Sequence, residues 1–369
     1  MKVNGKLLLL CDFSLATGMR IVVKVGSNVL TRDNGKLDMT RISSIVDQIA
    51  WLRSQGHEVI LVSSGSVAGG RGEMKPARRL DSVQQRQLYS AVGQVKLIHT
   101  YYGFFRDHGI HIGQVLTMKE NFSSRREYLN QRSCMEVMIA NGVIPIVNEN
   151  DTVSVTELMF TDNDELSGLI ASMMGADTLV ILSNVDGIYK DGQHEVIRRV
   201  KPTDDVSACI SREKSGFGRG GMTAKYTIAR KAADEGIRVV IADGRRPGIL
   251  NAIFGGDKNI IYTEFVPAAN GVSNMKKWIA HSADFAKGII RVNDKAATAL
   301  RDARAVSLLM VGVTAVEGDF EEGDIVSIVD SKGLTVALGR SAYGKTEASA
   351  LIGQHDVKPI VHYDYMYIE

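Results

Sequence analysis

The sequence has little cysteine, little net charge and no long apolar run. Three cysteines in 369 residues, Cys11, Cys134 and Cys209, are too few and too scattered for a disulfide framework or a paired metal site, so a reducing cytoplasm is the expected setting. Lys and Arg (44) nearly balance Asp and Glu (42), leaving a formal charge of +2, and no global field draws the chain to nucleic acid or to an anionic membrane. No segment reaches the roughly 18 apolar residues of a membrane span. The opening "KLLLLC" has the look of a lipoprotein cleavage box, but its apolar core of about four or five residues falls short of the roughly 7 to 15 of a signal peptide. Residues 1 to 18 are therefore expected to be an extension outside the fold, with Met19 an alternative start directly before the first strand pattern.

What is present is length enough for two domains and a pattern that keeps switching period. From Arg20 onward, strand-like runs ("RIVVKVG", "HEVILVSS", "IGQVLT", "VIPIVNEN", "TLVILS", "IRVVIADG") alternate with helical ones ("TRISSIVDQIAWLRSQG", "QQRQLYSAVGQVKLIHTYYGFFRDHG", "RREYLNQRSCMEVMIANG", "NDELSGLIASMMGA", "MTAKYTIARKAADEG"). Strands apolar on both faces, such as "EVILV", predict an open, mostly parallel sheet sandwiched between helices. Ligands of such sheets bind beyond the carboxyl ends of the strands, and the polar clusters "KVGSN", "SSGS", "NENDT" and "SNVDG" fall there. Near Thr263 the pattern changes, and "FVPAANGVSNMKKW" reads as a linker. Beyond it, "GIIRV", "SLLMVGVTAV", "DIVSIVD" and "TVALGR" read as short strands, with one helix at "DKAATALRD", forming a small β-rich domain. Nine basic and ten acidic residues between Lys287 and Val361 leave that domain without a basic stripe for nucleic acid. The expected divisions are an extension at 1–18, a catalytic domain at 19–265, a linker at 266–286, the small domain at 287–361 and a tail at 362–369.

The glycine-rich stretch "SGFGRGGMTAK" (215 to 225) half-fits two phosphate-binding fingerprints. Gly216, Gly218 and Gly221 have the spacing of a dinucleotide loop, but the residues before them, "SACISREKS", are polar and make no strand. A Walker loop needs its lysine directly after the last glycine, whereas Lys225 comes four residues after Gly221. What survives is an anion site: glycines that let backbone N–H groups approach, a helix N-terminus, and a lysine in its first turns. The absence of "HRD" and "DFG" also excludes a protein kinase.

In order and spacing, "VVKVGSNVL", "VSSGSVAGG", "AVGQ", "PIVNENDTV", "DNDELS" and "SGFGRGGMTAK" resemble the glutamate 5-kinase family, an amino-acid-kinase-fold domain followed by a PUA domain, over about residues 20 to 361. The resemblance implies ATP-dependent phosphorylation of the γ-carboxylate of L-glutamate, the first step toward proline, with Mg2+ carried on the nucleotide and no metal ligand named. It implies further that Lys24 and Lys225 neutralise the transferred phosphoryl group, that Asp164 organises the two lysines, and that Ser64, Asp151 and Asn163 bind glutamate. For the nucleotide it points to Lys24, Ser183, Asn184, Arg219, Gly220, Gly221, Met222, Thr223, Ala224 and Lys225.

The chain departs from the common family pattern at Ser183-Asn184, often Thr-Asp, and at Arg219, often small. Backbone contacts tolerate both, but ribose recognition by a carboxylate cannot come from Asn184, and Asp186 is the acidic neighbour. Asp162 and Glu165 suit a helix N-terminus equally well. Also implied are inhibition by proline, a homo-oligomer and coupling to glutamate-5-semialdehyde dehydrogenase. The rivals are acetylglutamate, aspartate, carbamate or UMP kinases of the same fold, a PUA-type RNA-binding protein, and a dinucleotide-binding oxidoreductase.

Overall fold

A computed structural model describes residues 18–123, 125–153, 160, 162–190, 195–206, 221–269, 279, 286–302 and 306–368. Residues 1–17 of the expected extension, most of the linker, and Arg219 and Gly220 lie outside the described residues.

The first unit runs β1 (Arg20–Val25), α1 (Ser27–Leu30), α2 (Met39–Ser54), β2 (Glu58–Ser63), α3 (Ser66–Glu73), α4 (Ser82–Asp107), β3 (Ile112–Thr117), α5 (Glu120–Ser123), α6 (Arg125–Ala140), β4 (Ile144–Glu149), α7 (Asn163–Met174), β5 (Thr178–Ser183), β6 (Arg199–Val200), α8 (Met222–Asp234), β7 (Arg238–Asp243), α9 (Ile249–Gly255) and β8 (Thr263–Phe265). Its eight-stranded sheet has the order β3-β4-β2-β1-β5-β7-β8-β6, parallel throughout except where β8 runs against β7. Chain order reverses beside β1, which pairs with β2 on one side and β5 on the other. That junction is the switch point at which sheets of this class open a crevice.

Both faces of the sheet are covered, which is why β1 reads as a continuous apolar run. Ile21, Val23 and Val25 pack into one core with α2, α4 and α9, while Val22 points into the other with α7 and α8. Successive side chains alternate faces, so Lys24 falls on the Val22 side, toward α7 and α8. The helices that matter for the site start on defined caps. The Asp81 carboxylate accepts from Gln84 N at 2.8 Å and the Gln84 side chain answers from Asp81 N, a reciprocal box at the head of α4. The Asp162 Oδ1 accepts from the backbone N–H groups of Asp164 (2.9 Å) and Glu165 (3.1 Å) at the head of α7. α7 ends on Gly175, whose φ of 60° is the left-handed value glycine adopts without strain.

The second unit runs β9 (Gly288–Val292), α10 (Asp294–Asp302), β10 (Val313–Gly318), β11 (Ile325–Val329), β12 (Thr335–Arg340), α11 (Lys345–Ala350) and β13 (Met366–Ile368). Its five strands are ordered β10-β9-β11-β12-β13 over a separate core that includes Ile290, Val326, Ile328 and Val336. Ile325 and Leu338 instead join the α7 and α8 side of the first unit's core.

The mostly parallel, helix-covered sheet and the separate β-rich sheet are as the sequence patterns predict, with several differences in detail. "SLLMVGVTAV" is not one strand: Leu308 and Met310 are buried around a 3-10 turn at Met310–Gly312 before β10 begins. Residues 362–369, set apart as a tail, contain β13, which pairs with β12. Thr263, where the pattern changes, opens β8, which ends at Phe265 within the span expected for the catalytic domain and ahead of the linker expected at 266–286. Helices α3, α9 and α11 and the two-residue β6 leave no clear periodicity, because each is short and rich in small or mixed residues.

Candidate active site

The carboxyl ends of β1, β2, β4 and β5 converge with the N-termini of α3, α7 and α8. Lys24, on β1, and Lys225, in the second turn's reach of α8, meet on one carboxylate: Lys24 Nζ lies 2.5 Å from Asp164 Oδ1 and Lys225 Nζ lies 3.0 Å from Asp164 Oδ2. Asp164 is 1% exposed. Burial acts to raise its carboxyl, but the charges of Lys24 and Lys225 outweigh burial and hold it below the ordinary carboxylate value. Asp162, next to it, goes the other way, pushed up by burial and by the charge of Asp164. Its Oδ2 is buried, with no hydrogen-bond partner among the described residues.

A buried lysine–aspartate–lysine triad is a poor stabilising device, since desolvating each charge costs several kcal/mol and the mutual attraction repays this only in good geometry. It also carries one more ammonium than carboxylate. Such an arrangement is suited to receiving an anion, and α8 adds a helix N-terminus that starts at Gly221, where no side chain among the described residues caps the first turn.

Beside the triad, a cavity of about 200 Å³ is lined by Ser64, Ser66, Arg86, Asn148, Asp151 and Asn163, among others. Asn163 Nδ2 donates to Ser64 Oγ (2.8 Å) and to Asn148 Oδ1 (3.1 Å), and Asn148 Nδ2 donates to Gln94 Oε1 (2.9 Å). Asp151 Oδ2 accepts from Ser66 Oγ at 3.2 Å, and Asp151 Oδ1 accepts from Arg86 Nε at 2.7 Å. Thus Ser64, Asp151 and Asn163 border one pocket, and its wall also includes Asp162, so that the two residues directly before Asp164 in the chain line it.

Of the expected nucleotide residues, Met222, Thr223 and Ala224 form the first turn of α8, and Ser183 closes β5. Asn184 is exposed, and its backbone oxygen accepts from Arg245 Nη2 at 2.8 Å. Asp186, the acidic neighbour, is held by Arg246 at 2.7 Å. Of the two acids that suited a helix N-terminus, Asp162 caps α7, whereas Glu165 pairs with Lys119 at 3.2 Å.

Sequence reasoning missed Arg86, Ser66, Asn148, Glu149 and Gln94. A signal for two of them existed: Arg86 and Gln94 lie eight residues apart on α4 and so share one face of that helix. Among the described residues, no three His, Cys, Asp or Glu side chains converge as a metal-binding group, and no helix is long and apolar enough to cross a membrane.

The model of the amino acid kinase family matches residues 19–243, and that of the PUA domain matches residues 288–363. A glutamate 5-kinase of Bacteroides thetaiotaomicron is 58% identical over 354 residues, covering 95% of this chain and 98% of that protein. Glutamate 5-kinases of Chlorobaculum tepidum and Caldanaerobacter subterraneus are 47% and 39% identical, covering 95% and 94% of this chain and 97% and 94% of their own lengths. The family models and the full-length likeness agree, and the chain belongs to the amino acid kinase family, in its glutamate 5-kinase branch with a PUA domain.

Proposed function

We propose that this enzyme transfers the γ-phosphoryl group of ATP to the γ-carboxylate of L-glutamate, yielding glutamyl 5-phosphate and ADP as the first step of proline biosynthesis. A carboxylate oxygen forms the new bond to phosphorus as the bond to the β-phosphate oxygen breaks. The nucleophile is already an anion, so no general base is required; the obstacle is repulsion between two anions. The observation that carries the proposal is the buried Lys24–Asp164–Lys225 triad, with its surplus positive charge between the glutamate-sized pocket and the N-terminus of α8. Phosphoryl transfer asks for such positioning and charge stabilisation rather than covalent help.

In this scheme Lys24 and Lys225 approach the migrating phosphoryl group from two sides, and Asp164 holds the two amines together. Lys225 sits a rise of roughly 6 Å into α8 from Gly221, and its flexible stem spans back to phosphates at the helix N-terminus. Asp151 takes the α-ammonium of glutamate, while the Ser64 hydroxyl and the Asn163 amide serve its α-carboxylate end. Ser183, Asn184 and Gly221 to Ala224 cradle the nucleotide through their backbone. Magnesium, when bound with ATP, would neutralise phosphate charge, and Asp162, whose buried Oδ2 has no hydrogen-bond partner among the described residues, would be the residue to hold it. A cytoplasmic homo-oligomer, inhibited by proline at the glutamate pocket and feeding glutamate-5-semialdehyde dehydrogenase, completes the proposal on family resemblance.

Hydroxylamine traps acyl phosphates as hydroxamates. With ATP and magnesium present, glutamate, aspartate, acetylglutamate and UMP are offered separately; hydroxamate is expected from glutamate alone. Hydroxamate from aspartate or none from glutamate would reject the proposal.

A further inference from the structure

Arg86 lies on α4 in the wall of the glutamate pocket. Its Nε and Nη2 both donate to Asp151 Oδ1, the first at 2.7 Å, and Nη2 also reaches Glu149 Oε2 at 2.9 Å. The two carboxylates are 9% and 5% exposed, against 20% for the arginine. A single guanidinium fork thus spans both buried carboxylates and fixes them in one geometry. The opposite oxygen of Asp151 accepts from Ser66 Oγ at 3.2 Å. Asp151 is therefore gripped by two helices, α3 through Ser66 and α4 through Arg86.

Those helices are themselves locked together by glycine. A Cβ on Gly70 would stand 2.0 Å from Tyr89 O, and one on Gly93 would stand 1.7 Å from Ser66 O. Backbone contact this close leaves no freedom for Ser66 and Arg86 to slide past one another, and the carboxylate between them is pre-aligned.

We propose that Arg86 is a positioning residue: it aims the Asp151 carboxylate at the α-ammonium of the amino-acid substrate, setting affinity for that substrate rather than the rate of phosphoryl transfer. This rests on the glutamate kinase function proposed above. Each carboxylate oxygen has two lone-pair directions, so Asp151 can accept from the substrate while it is held.

The test is a kinetic cycle on the full-length enzyme with Arg86→Met, Arg86→Lys, Asp151→Asn and the corresponding double variants. Arg86→Met is expected to raise the KM for glutamate on the order of 10²-fold, the scale for truncating one partner of a buried, hydrogen-bonded charge pair, with a smaller fall in kcat and an unchanged KM for ATP. Arg86→Lys, which keeps the charge and loses the fork, is expected to recover part of that loss and stands in for Arg86→Met if the latter does not fold. In the Asp151→Asn background, either Arg86 substitution is expected to add no further loss. Losses that multiply in the double variants, an unchanged KM for glutamate, or equal loss of affinity for both substrates would overturn the proposal. If the wild-type enzyme yields no hydroxamate from glutamate, the functional proposal fails and this one falls with it; a working wild type with multiplying losses defeats this one alone.

Discussion

Both sheets carry ion pairs, but they treat water differently. In the eight-stranded sheet, Lys24, Lys225 and Asp164 have side chains only 6%, 11% and 1% exposed. In the five-stranded sheet, Lys287–Asp324 and Arg291–Glu317 pair at 2.9 and 2.6 Å with side chains 60%, 23%, 40% and 46% exposed. The distances alone do not separate the two sets. Solvent does: a charge in water is screened within about 8 to 10 Å, whereas a charge withdrawn from water acts at full strength on whatever enters beside it. Of these two sets, the one in the first sheet gathers buried charges that can work on an anion.

The comparison breaks most visibly if the buried triad can be dismantled without consequence. Asp164→Asn is expected to lower turnover by about 10³-fold or more, because two transition-state donors lose their common brace and each is worth about 10² to 10³. The KM for glutamate should change less, since the charges matter most when the phosphoryl group is in transit. A raised KM with kcat retained would instead assign Asp164 to substrate binding. Next in size, Lys225→Ala should leave the fold intact and cost about 10² to 10³ in turnover, measured by hydroxamate formation at saturating substrates. A near-wild-type rate would remove Lys225 from the mechanism.

Acid should sharpen the same contrast. Because Lys24 and Lys225 hold Asp164 below its ordinary value of 3.8, its ionisation stabilises the fold above that value, and the contribution disappears as pH falls through the lower folded value. Melting temperatures of the wild type and Asp164→Asn should therefore differ at neutral pH and draw together below pH 3.8. A gap that stays constant through strong acid would mean that Asp164 remains paired by something other than its charge. Smaller still, Ser64→Ala removes the acceptor of the 2.8 Å bond from Asn163. Loss of one neutral hydrogen bond, roughly 1 kcal/mol, should raise the KM for glutamate by about fivefold with kcat nearly unchanged.

How much of this was legible in the sequence depended on how far each signal travels along the chain. Strands β3, β5, β9 and β12 and helix α10 stand where their apolar patterns end, because burial on fixed faces writes a period into consecutive residues. Lys24, Asp164 and Lys225 were assigned through motifs, and their meeting at one carboxylate depends on parity along β1 and on the start of α8, neither of which spacing alone fixes in space. Arg86 escaped notice because its partners Glu149 and Asp151 lie 63 and 65 residues away. A charged residue on a long amphipathic helix ordinarily faces solvent, and only the glycine-tight contact between α3 and α4 turns this one inward. Short elements such as β6 and β8 are stabilised by pairing with strands distant in the chain, β6 with β8 and β8 with β7, and they leave no local pattern to read.

The smallest expected effect tests the other side of the comparison. Arg291→Met and Glu317→Met each remove one member of a pair that joins β9 to β10 across an exposed face. Both side chains already have water as an alternative partner, so the pair exchanges one set of hydrogen bonds for another, and exposed pairs of this kind often contribute nothing measurable. Neither substitution should change the melting temperature, and neither should alter kcat or KM for glutamate or ATP. A loss of turnover with the melting temperature preserved would show that the five-stranded sheet communicates with the triad through its surface charges. The Ile325 and Leu338 side chains, which pack into the α7 and α8 side of the first core, would then be the route to probe, since α7 carries Asp164 and α8 carries Lys225.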